Sequence, residues 1–185
     1  YGKPELLERF GRYKVRPAHD LWETGTASYE AQAGTSAAID YLAWIGREFG
    51  DLPSAGQGSS RREEIRAGLL AIGVHERSLT RRLLEGLATI RGVRVHGITA
   101  PERAKDRTSI VSFTAEQHHP DAIAAALGDR GIQVWSGDFY AVNAIASLGL
   151  AEGGGVVRVG LMSYNTPDEV DQLVGSLEEL LKGST

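Results

Sequence analysis

Two short stretches of this chain carry residue types that hold anionic groups. In the first, residues 23–26, Gly25 and Thr26 come just before a stretch with a helical pattern. Backbone N–H groups and a hydroxyl at the positive end of a helix dipole bind phosphate. The same residues are typical of an ordinary helix N-cap formed by Thr26 or Ser28. Spacing alone favours this simpler interpretation.

The second stretch is the apolar run that contains Arg158. In a β-strand, alternation places Arg158 on the face opposite Val157, Val159 and Leu161. A guanidinium in that position can hold a carboxylate through two parallel hydrogen bonds. A solvent-facing strand residue is the simpler alternative, and the residue types alone favour it.

The remaining candidate residues give weaker signals. The five histidines lack the spacing of a metal site, so we predict no metal. His118 and His119 are expected to form a solvated helix cap. Trp135, Phe139 and Tyr140 are interpreted as ordinary aromatic packing around a glycine turn. No Walker loop or nucleophile-elbow serine is present in the sequence.

The composition bounds the class of protein. The chain has 185 residues, 42% of them hydrophobic and 24% charged, which is typical of a globular protein. A net charge of -4 gives no electrostatic reason to expect nucleic acid or an anionic membrane as a partner. Cysteine is absent, so this chain has no disulfide and no cysteine nucleophile, and a cytoplasmic location is favoured. The single methionine is Met162, so we expect a processed chain or part of a longer protein.

Periodicity along the chain predicts the elements that position these residues. A helix is predicted over 28–49, followed by a Pro-, Gly- and Ser-rich linker and a long amphipathic helix that ends at Gly92. After Gly92 the predicted order is β-β-α-β-α-β-α, a small α/β layer. Its strands are expected at 93–96, 108–114, 132–135 and 156–162, and its helices at 119–131, 139–150 and from Thr166 onwards. The last helix begins with a capping box, Thr-Pro-Asp-Glu.

Three segments resemble one family of pyridoxal-phosphate (PLP) enzymes, the class V aminotransferases and cysteine desulfurases. Residues 157–171 read VRVGLMSYNTPDEVD and closely resemble the C-terminal signature of cysteine desulfurase-like proteins. Residues 22–26 and the helix-like 37–42 resemble the family's Glu-x-Gly-Thr turn and the helix after it. Residues 1–7 resemble the stretch just after the PLP-lysine segment. The resemblance covers nearly the whole chain in the family's order.

The resemblance implies a fold and an assembly. The fold is the C-terminal part of an aspartate-aminotransferase-type (fold type I) PLP enzyme, with a small α/β domain whose sheet is covered by helices. Residues 1–50 would be the C-terminal end of the large PLP-binding domain, residues 51–66 a linker, and residues 67–185 the small C-terminal domain. The family works as a homodimer with active sites at the subunit interface.

The resemblance also implies roles for individual residues. The Gly25 backbone and Thr26 would contact the PLP phosphate of the neighbouring subunit, and Arg158 would bind the α-carboxylate of an amino-acid substrate. The lysine that forms the Schiff base with PLP is expected upstream of Tyr1. This chain would therefore hold no catalytic residue and would be inactive when isolated, serving at most as a dimerisation or interaction module.

The reaction type stays open among related chemistries. Desulfurases carry a sulfur-accepting cysteine in the loop that here spans 136–140, and this chain has none. Residues 139–141, Phe-Tyr-Ala, match a desulfurase-like subgroup. The expected activity is that of an aminotransferase or a cysteine desulfurase-like enzyme, and the alternatives are a C–S lyase and an amino-acid epimerase.

Overall fold

The computed structural model describes residues 25–52 and 58–183, together with Glu5 and Arg9. The segment 1–7, apart from Glu5, lies outside the described residues. The helices are α1 (Tyr29–Phe49), α2 (Arg61–Thr89), α3 (Pro120–Gly128), α4 (Val142–Ser147) and α5 (Pro167–Lys182), and a 3-10 helix spans Pro101–Asp106. The strands are β1 (Val93–His96), β2 (Ile110–Ala115), β3 (Trp135–Gly137) and β4 (Val156–Gly160). No helix in the described ranges is both long and apolar enough to cross a bilayer.

The four strands form one antiparallel sheet in the order β1-β2-β4-β3. One face of the sheet packs against α2, α3 and α5, because the inward positions of the strands are aliphatic or aromatic and the three helices turn leucine and isoleucine stripes towards them. The buried core comprises Leu79, Leu83, Leu84, Leu87, Val111, Phe113, Ile123, Leu127, Val157, Val159, Val170, Leu173 and Leu177. The α/β sheet covered by helices is confirmed for this face.

The opposite face of the sheet carries a row of polar and aromatic side chains. His96 on β1 pairs with Ser112 on β2, Ser112 pairs with Arg158 on β4, and Arg158 pairs with Trp135 on β3. Since successive residues of a strand point to opposite faces, these four side chains cross the sheet on the side away from the core. The core therefore fixes the register that puts Arg158 on the open face.

The predicted order β-β-α-β-α-β-α after Gly92 is confirmed, but three elements of the chain differ in position. The strand expected at 132–135 is Trp135–Gly137. Gly131 has a φ of 78°, and the Ile132 N–H bonds the Leu127 carbonyl, so the run after the helix completes its C-terminus instead of pairing with β4. Ile132 packs against the core, so its apolar character reflects burial and not strand pairing.

The two other shifts concern helix starts. The helix expected over 139–150 begins only at Val142, because Phe139 and Tyr140 take left-handed backbone conformations that an α-helix excludes. The long helix begins at Arg61, where Ser60 and Glu63 form a capping box, so the last six residues of the 51–66 segment are helical. The division into 1–50, 51–66 and 67–185 stays a prediction.

The capping box in the first turn of α5 should contribute to the local stability of this helix, and a single substitution tests it. The Thr166 hydroxyl accepts the Glu169 N–H at 3.3 Å, and the Glu169 carboxylate accepts the Thr166 N–H at 2.8 Å. Thr166→Ala should cost about 1 kcal/mol of local stability, which is roughly a fivefold rise in amide exchange at the start of α5. Hydrogen-exchange mass spectrometry on the full-length protein measures this rise. Thr99→Ala, in an exposed loop, is the matched control, and equal effects of the two changes would contradict the capping role.

Candidate functional site

Arg158 lies at the centre of the open sheet face. Its neighbours in the sequence, Val157 and Val159, are buried on the core side, with exposed fractions of 0% and 4%. This confirms the predicted alternation of β4. Arg158 itself is half-buried between its strand partners Ser112 and Trp135.

A ring stacks on the guanidinium of Arg158. The guanidinium carbon lies 3.9 Å from the centroid of the Phe139 ring, well inside the range of a cation–π contact. The N–H groups of a guanidinium lie in its plane, so a ring against one face leaves those donors available. Arg158 is therefore held as a planar cation that can still donate two parallel hydrogen bonds to a carboxylate.

The arginine borders an open cavity of about 500 Å³. Its lining combines one cation, one carboxylate that accepts the Tyr140 N–H, one hydroxyl, three aromatic rings and a glycine turn, from Trp135, Ser136, Gly137, Asp138, Phe139, Tyr140 and Arg158. Such a lining, apolar surface with few converging polar groups, suits a small molecule that carries an anionic group.

The loop that bears Phe139 is fixed by hydrogen bonds at both ends. The Ser136 hydroxyl donates to the Asp121 carboxylate at 2.6 Å. The Tyr140 N–H donates to the Asp138 carboxylate at 3.0 Å, and the Ala141 N–H donates to the Asp138 carbonyl at 2.8 Å. Phe139 and Tyr140 have φ values of 55° and 59°. Two adjacent non-glycine residues in this region are uncommon, so the surrounding bonds must hold them there.

The residues before α1 fit one part of a phosphate site. Gly25 and Thr26 are exposed, and no atom of the described residues lies within 4 Å of the position a Gly25 Cβ would take. Ser28 occupies the N-cap of α1, and its hydroxyl donates to the Glu30 carboxylate at 3.5 Å but accepts no N–H of the first turn, so that turn keeps N–H donors for an anion. Glu30 in the same turn is unfavourable, because its charge repels a phosphate.

The two sets of predicted site residues are not bonded to each other in the described part of the chain. In the described ranges no hydrogen bond or ion pair joins Gly25 or Thr26 to Arg158, which lies on the open sheet face beside Phe139. Their roles towards a phosphate and a carboxylate stay predictions.

The interpretation of the aromatic cluster as packing is wrong for two of its members. Trp135 is 68% exposed and Tyr140 is fully exposed, while Phe139 contacts the arginine. Residues 139 and 158 are far apart in sequence, so the stack follows from sheet topology, and no local spacing rule could have indicated it. His119 does cap α3, since its ring accepts the Asp121 N–H at 3.3 Å.

The residues that follow Arg158 in the segment 157–171 make structural contacts. Asn165 accepts the Met162 N–H at 2.9 Å, and its backbone carbonyl lies 2.8 Å from the His75 ring. Asp171 forms a two-bond ion pair with Arg82 on α2, which lowers the pKa of the Asp171 carboxyl. These contacts pack the start of α5 against α2. Within 157–171, the residue that lines the cavity beside Phe139 is Arg158.

His96, at the end of the same cross-strand row, makes this face sensitive to acid. Its ring lies 3.1 Å from the Thr114 hydroxyl, and burial together with the charge of Arg94 lowers its pKa. The unfolded state then binds the proton first, so stability present above a pH of about 6.5 is lost as the pH falls below it. We expect the melting temperature of the full-length protein to fall less between pH 8 and pH 5.5 in His96→Gln than in the wild type. Identical shifts would contradict this assignment.

A family model describing class V aminotransferases matches residues 64–173. A probable cysteine desulfurase of Pseudomonas putida is 31% identical over 98% of this chain and 37% of that protein. An aminotransferase-like protein of Gibberella zeae is 39% identical over 88% of this chain and 36% of that protein. The chain therefore spans a little over a third of the length of these relatives.

One solved structure supports the fold. The cysteine desulfurase CsdA of Escherichia coli superimposes with a TM-score of 0.67 over 98% of this chain and 41% of that chain, at 24% identity. At this identity the match establishes the fold, and the fold type I expectation is confirmed.

Proposed function

Because this chain belongs to the class V aminotransferase family, we propose that it is the C-terminal portion of a PLP-dependent enzyme that acts on an amino acid. The observation that carries the proposal is Arg158, a half-buried cation that borders an open cavity and is stacked on Phe139. An amino-acid substrate always brings a carboxylate, which is the group that a planar guanidinium binds best.

The residues of this chain would bind and orient the two ligands. Arg158 holds the substrate α-carboxylate and so fixes the direction of the remaining α-carbon bonds. Thr26 and the Gly25 backbone hold the phosphate of PLP in the neighbouring subunit of a cytoplasmic homodimer. PLP supplies an electron sink for reaction at the amino acid. The lysine that binds PLP would come from the part of the protein before Tyr1.

The lack of cysteine narrows the chemistry. A persulfide cannot form on this chain, since the sequence contains no cysteine and the loop around Phe139 has none to offer. The rings of Trp135 and Tyr140, on either side of this loop position, line the cavity beside Arg158. This favours transfer of an amino group, C–S bond cleavage or epimerisation over desulfuration through a persulfide carried by this loop.

Product analysis distinguishes these reactions. The full-length protein, loaded with PLP, would be incubated with L-cysteine and a panel of L-amino acids, each with and without a 2-oxo acid as the amino-group acceptor. Amination of the acceptor together with a keto acid from the donor would indicate transamination. Sulfide with pyruvate and ammonia in the absence of acceptor would indicate a C–S lyase, and D-amino acid an epimerase. Alanine together with sulfide would indicate desulfuration and would contradict the preference stated above. No turnover of any amino acid would contradict the enzyme assignment and would leave a non-catalytic dimerisation or interaction module.

Thr26 provides the test of the cofactor part of the proposal. Thr26→Val keeps the shape of the side chain and removes the hydroxyl that would bond the phosphate. We expect the Kd for PLP to rise about tenfold, the loss of one hydrogen bond to a charged group. Thr35→Val is the control, because the Thr35 hydroxyl bonds the Ala31 carbonyl within α1. Equal PLP affinity in wild type and Thr26→Val would contradict the role of Thr26.

A further inference from the structure

We propose that Phe139 is a positioning residue for Arg158: its ring fixes the plane of the guanidinium so that the in-plane N–H groups meet the substrate carboxylate. The inference rests on the proposed function of Arg158 and adds a residue that sets how well that function is carried out.

The contact between ring and cation is close and partly exposed. The guanidinium carbon is 3.9 Å from the ring centroid, and the pair borders the cavity instead of the core. A phenylalanine that served only to fill space would be expected in the core, where Phe113 lies with no exposed surface. The place of Phe139 beside a cation at a cavity points to a role towards that cation.

The backbone around Phe139 is organised to present the ring. Phe139 has a φ of 55° and is followed by Tyr140 at 59°. The Asp138 carboxylate accepts the Tyr140 N–H, and the Asp138 carbonyl accepts the Ala141 N–H. The backbone of Gly155 packs closely against the turn, because a side chain there would overlap the Gly137 carbonyl. These contacts hold the loop in a conformation that aims one ring at Arg158 and leaves Tyr140 in solvent.

The stack has a specific chemical consequence. An arginine side chain has four flexible torsions, and immobilising it on binding costs conformational entropy. A ring that already holds one guanidinium face removes part of that cost, while the donors in the plane remain available. The benefit goes to ligands that carry a carboxylate, and a ligand with only an amine gains nothing.

This difference gives a test that separates positioning from general damage. The full-length protein loaded with PLP would be titrated with propanoate, which has the carboxylate and no amine, and with propylamine, which has the amine and no carboxylate. Calorimetry follows propanoate and visible absorbance follows propylamine. In Phe139→Leu we expect the Kd for propanoate to rise about fivefold to tenfold and the Kd for propylamine to change by less than about twofold. Phe139→Tyr, which keeps the ring, should bind propanoate like the wild type.

A fluorinated ring is a second replacement that keeps the proposal testable if Phe139→Leu folds poorly. Pentafluorophenylalanine at position 139 keeps a flat ring of similar size but reverses the electrostatic potential of its face from negative to positive, so it should weaken propanoate binding in the same direction. Unchanged propanoate affinity in both replacements, with affinity lost in Arg158→Ala, would overturn the inference and leave the proposed function intact. Parallel weakening of both probes would also overturn it. Propanoate that binds equally well to wild type and Arg158→Ala would overturn both.

Discussion

Replacing Arg158 with alanine in the full-length protein should lower kcat/KM for its amino-acid substrate about 100- to 1,000-fold, equivalent to roughly 3–4 kcal/mol. The change removes a charge-assisted pair of hydrogen bonds to the carboxylate. Most of the loss should appear in KM, because the carboxylate is bound in both ground state and transition state. Steady-state kinetics with the amino acid identified by product analysis measures the effect.

Two further variants make the expectation specific. Arg158→Lys keeps the charge but not the planar fork, so it should recover only part of the loss. Arg94→Ala removes an exposed arginine from β1, the edge strand of the same sheet, and should change kcat/KM by less than about twofold if the effect requires Arg158 and not positive charge in general. An equal loss in Arg94→Ala, or none in Arg158→Ala, would remove the basis of the proposed function.

The second large effect concerns the crossing of α1 and α2. A Cβ added at Gly46 would overlap the Glu64 carbonyl of α2 and lie 2.9 Å from the Gly68 nitrogen. Both neighbours are backbone atoms, so the helices would have to separate. Gly46→Ala should therefore destabilise this contact by about 2 kcal/mol or more, even after the gain of about 1 kcal/mol in helix propensity. Faster amide exchange throughout α1 and the first half of α2 in the full-length protein would show it.

Gly175→Ala in α5 is the matched control for this change. Among the residues that the structure describes, none has an atom within 4 Å of the Cβ position at Gly175, so only the gain in helix propensity remains, up to about 1 kcal/mol. If Gly46→Ala were as well tolerated as Gly175→Ala, the close approach of α1 and α2 would not occur in the protein.

Elements whose local chemistry and burial agree could be predicted from the sequence. β4 alternates Val157 and Val159 inward with Arg158 outward, and the Thr166–Glu169 capping box marks the start of α5 at its observed place. The strand predicted at 132–135 lies instead at 135–137, because Ile132 is partly buried against the core without pairing, and an apolar run does not distinguish burial from pairing. Hydrophobic periodicity indicates which residues are buried, whereas the pairing of a strand depends on the arrangement of the whole sheet.

The site was predictable only in part for the same reason. Strand alternation predicts the outward face of β4 for Arg158, but only the resemblance gives that residue a role, because the residue types alone favour a solvent-facing arginine. Its partner Phe139 could not be identified, since the stack requires β3 to lie beside β4 and the loop after β3 to turn back through two left-handed residues. Glycine is typical of a left-handed backbone conformation, whereas phenylalanine and tyrosine do not indicate one.

The measurement that tests the central claim most directly is a visible absorbance titration of the PLP-loaded full-length protein with L-amino acids, in wild type and Arg158→Ala. The expected result is a bound-PLP band that shifts with at least one amino acid, and a half-saturating concentration about 100-fold higher in Arg158→Ala. A protein that binds no PLP, or one whose response to amino acids is unchanged without Arg158, would contradict it.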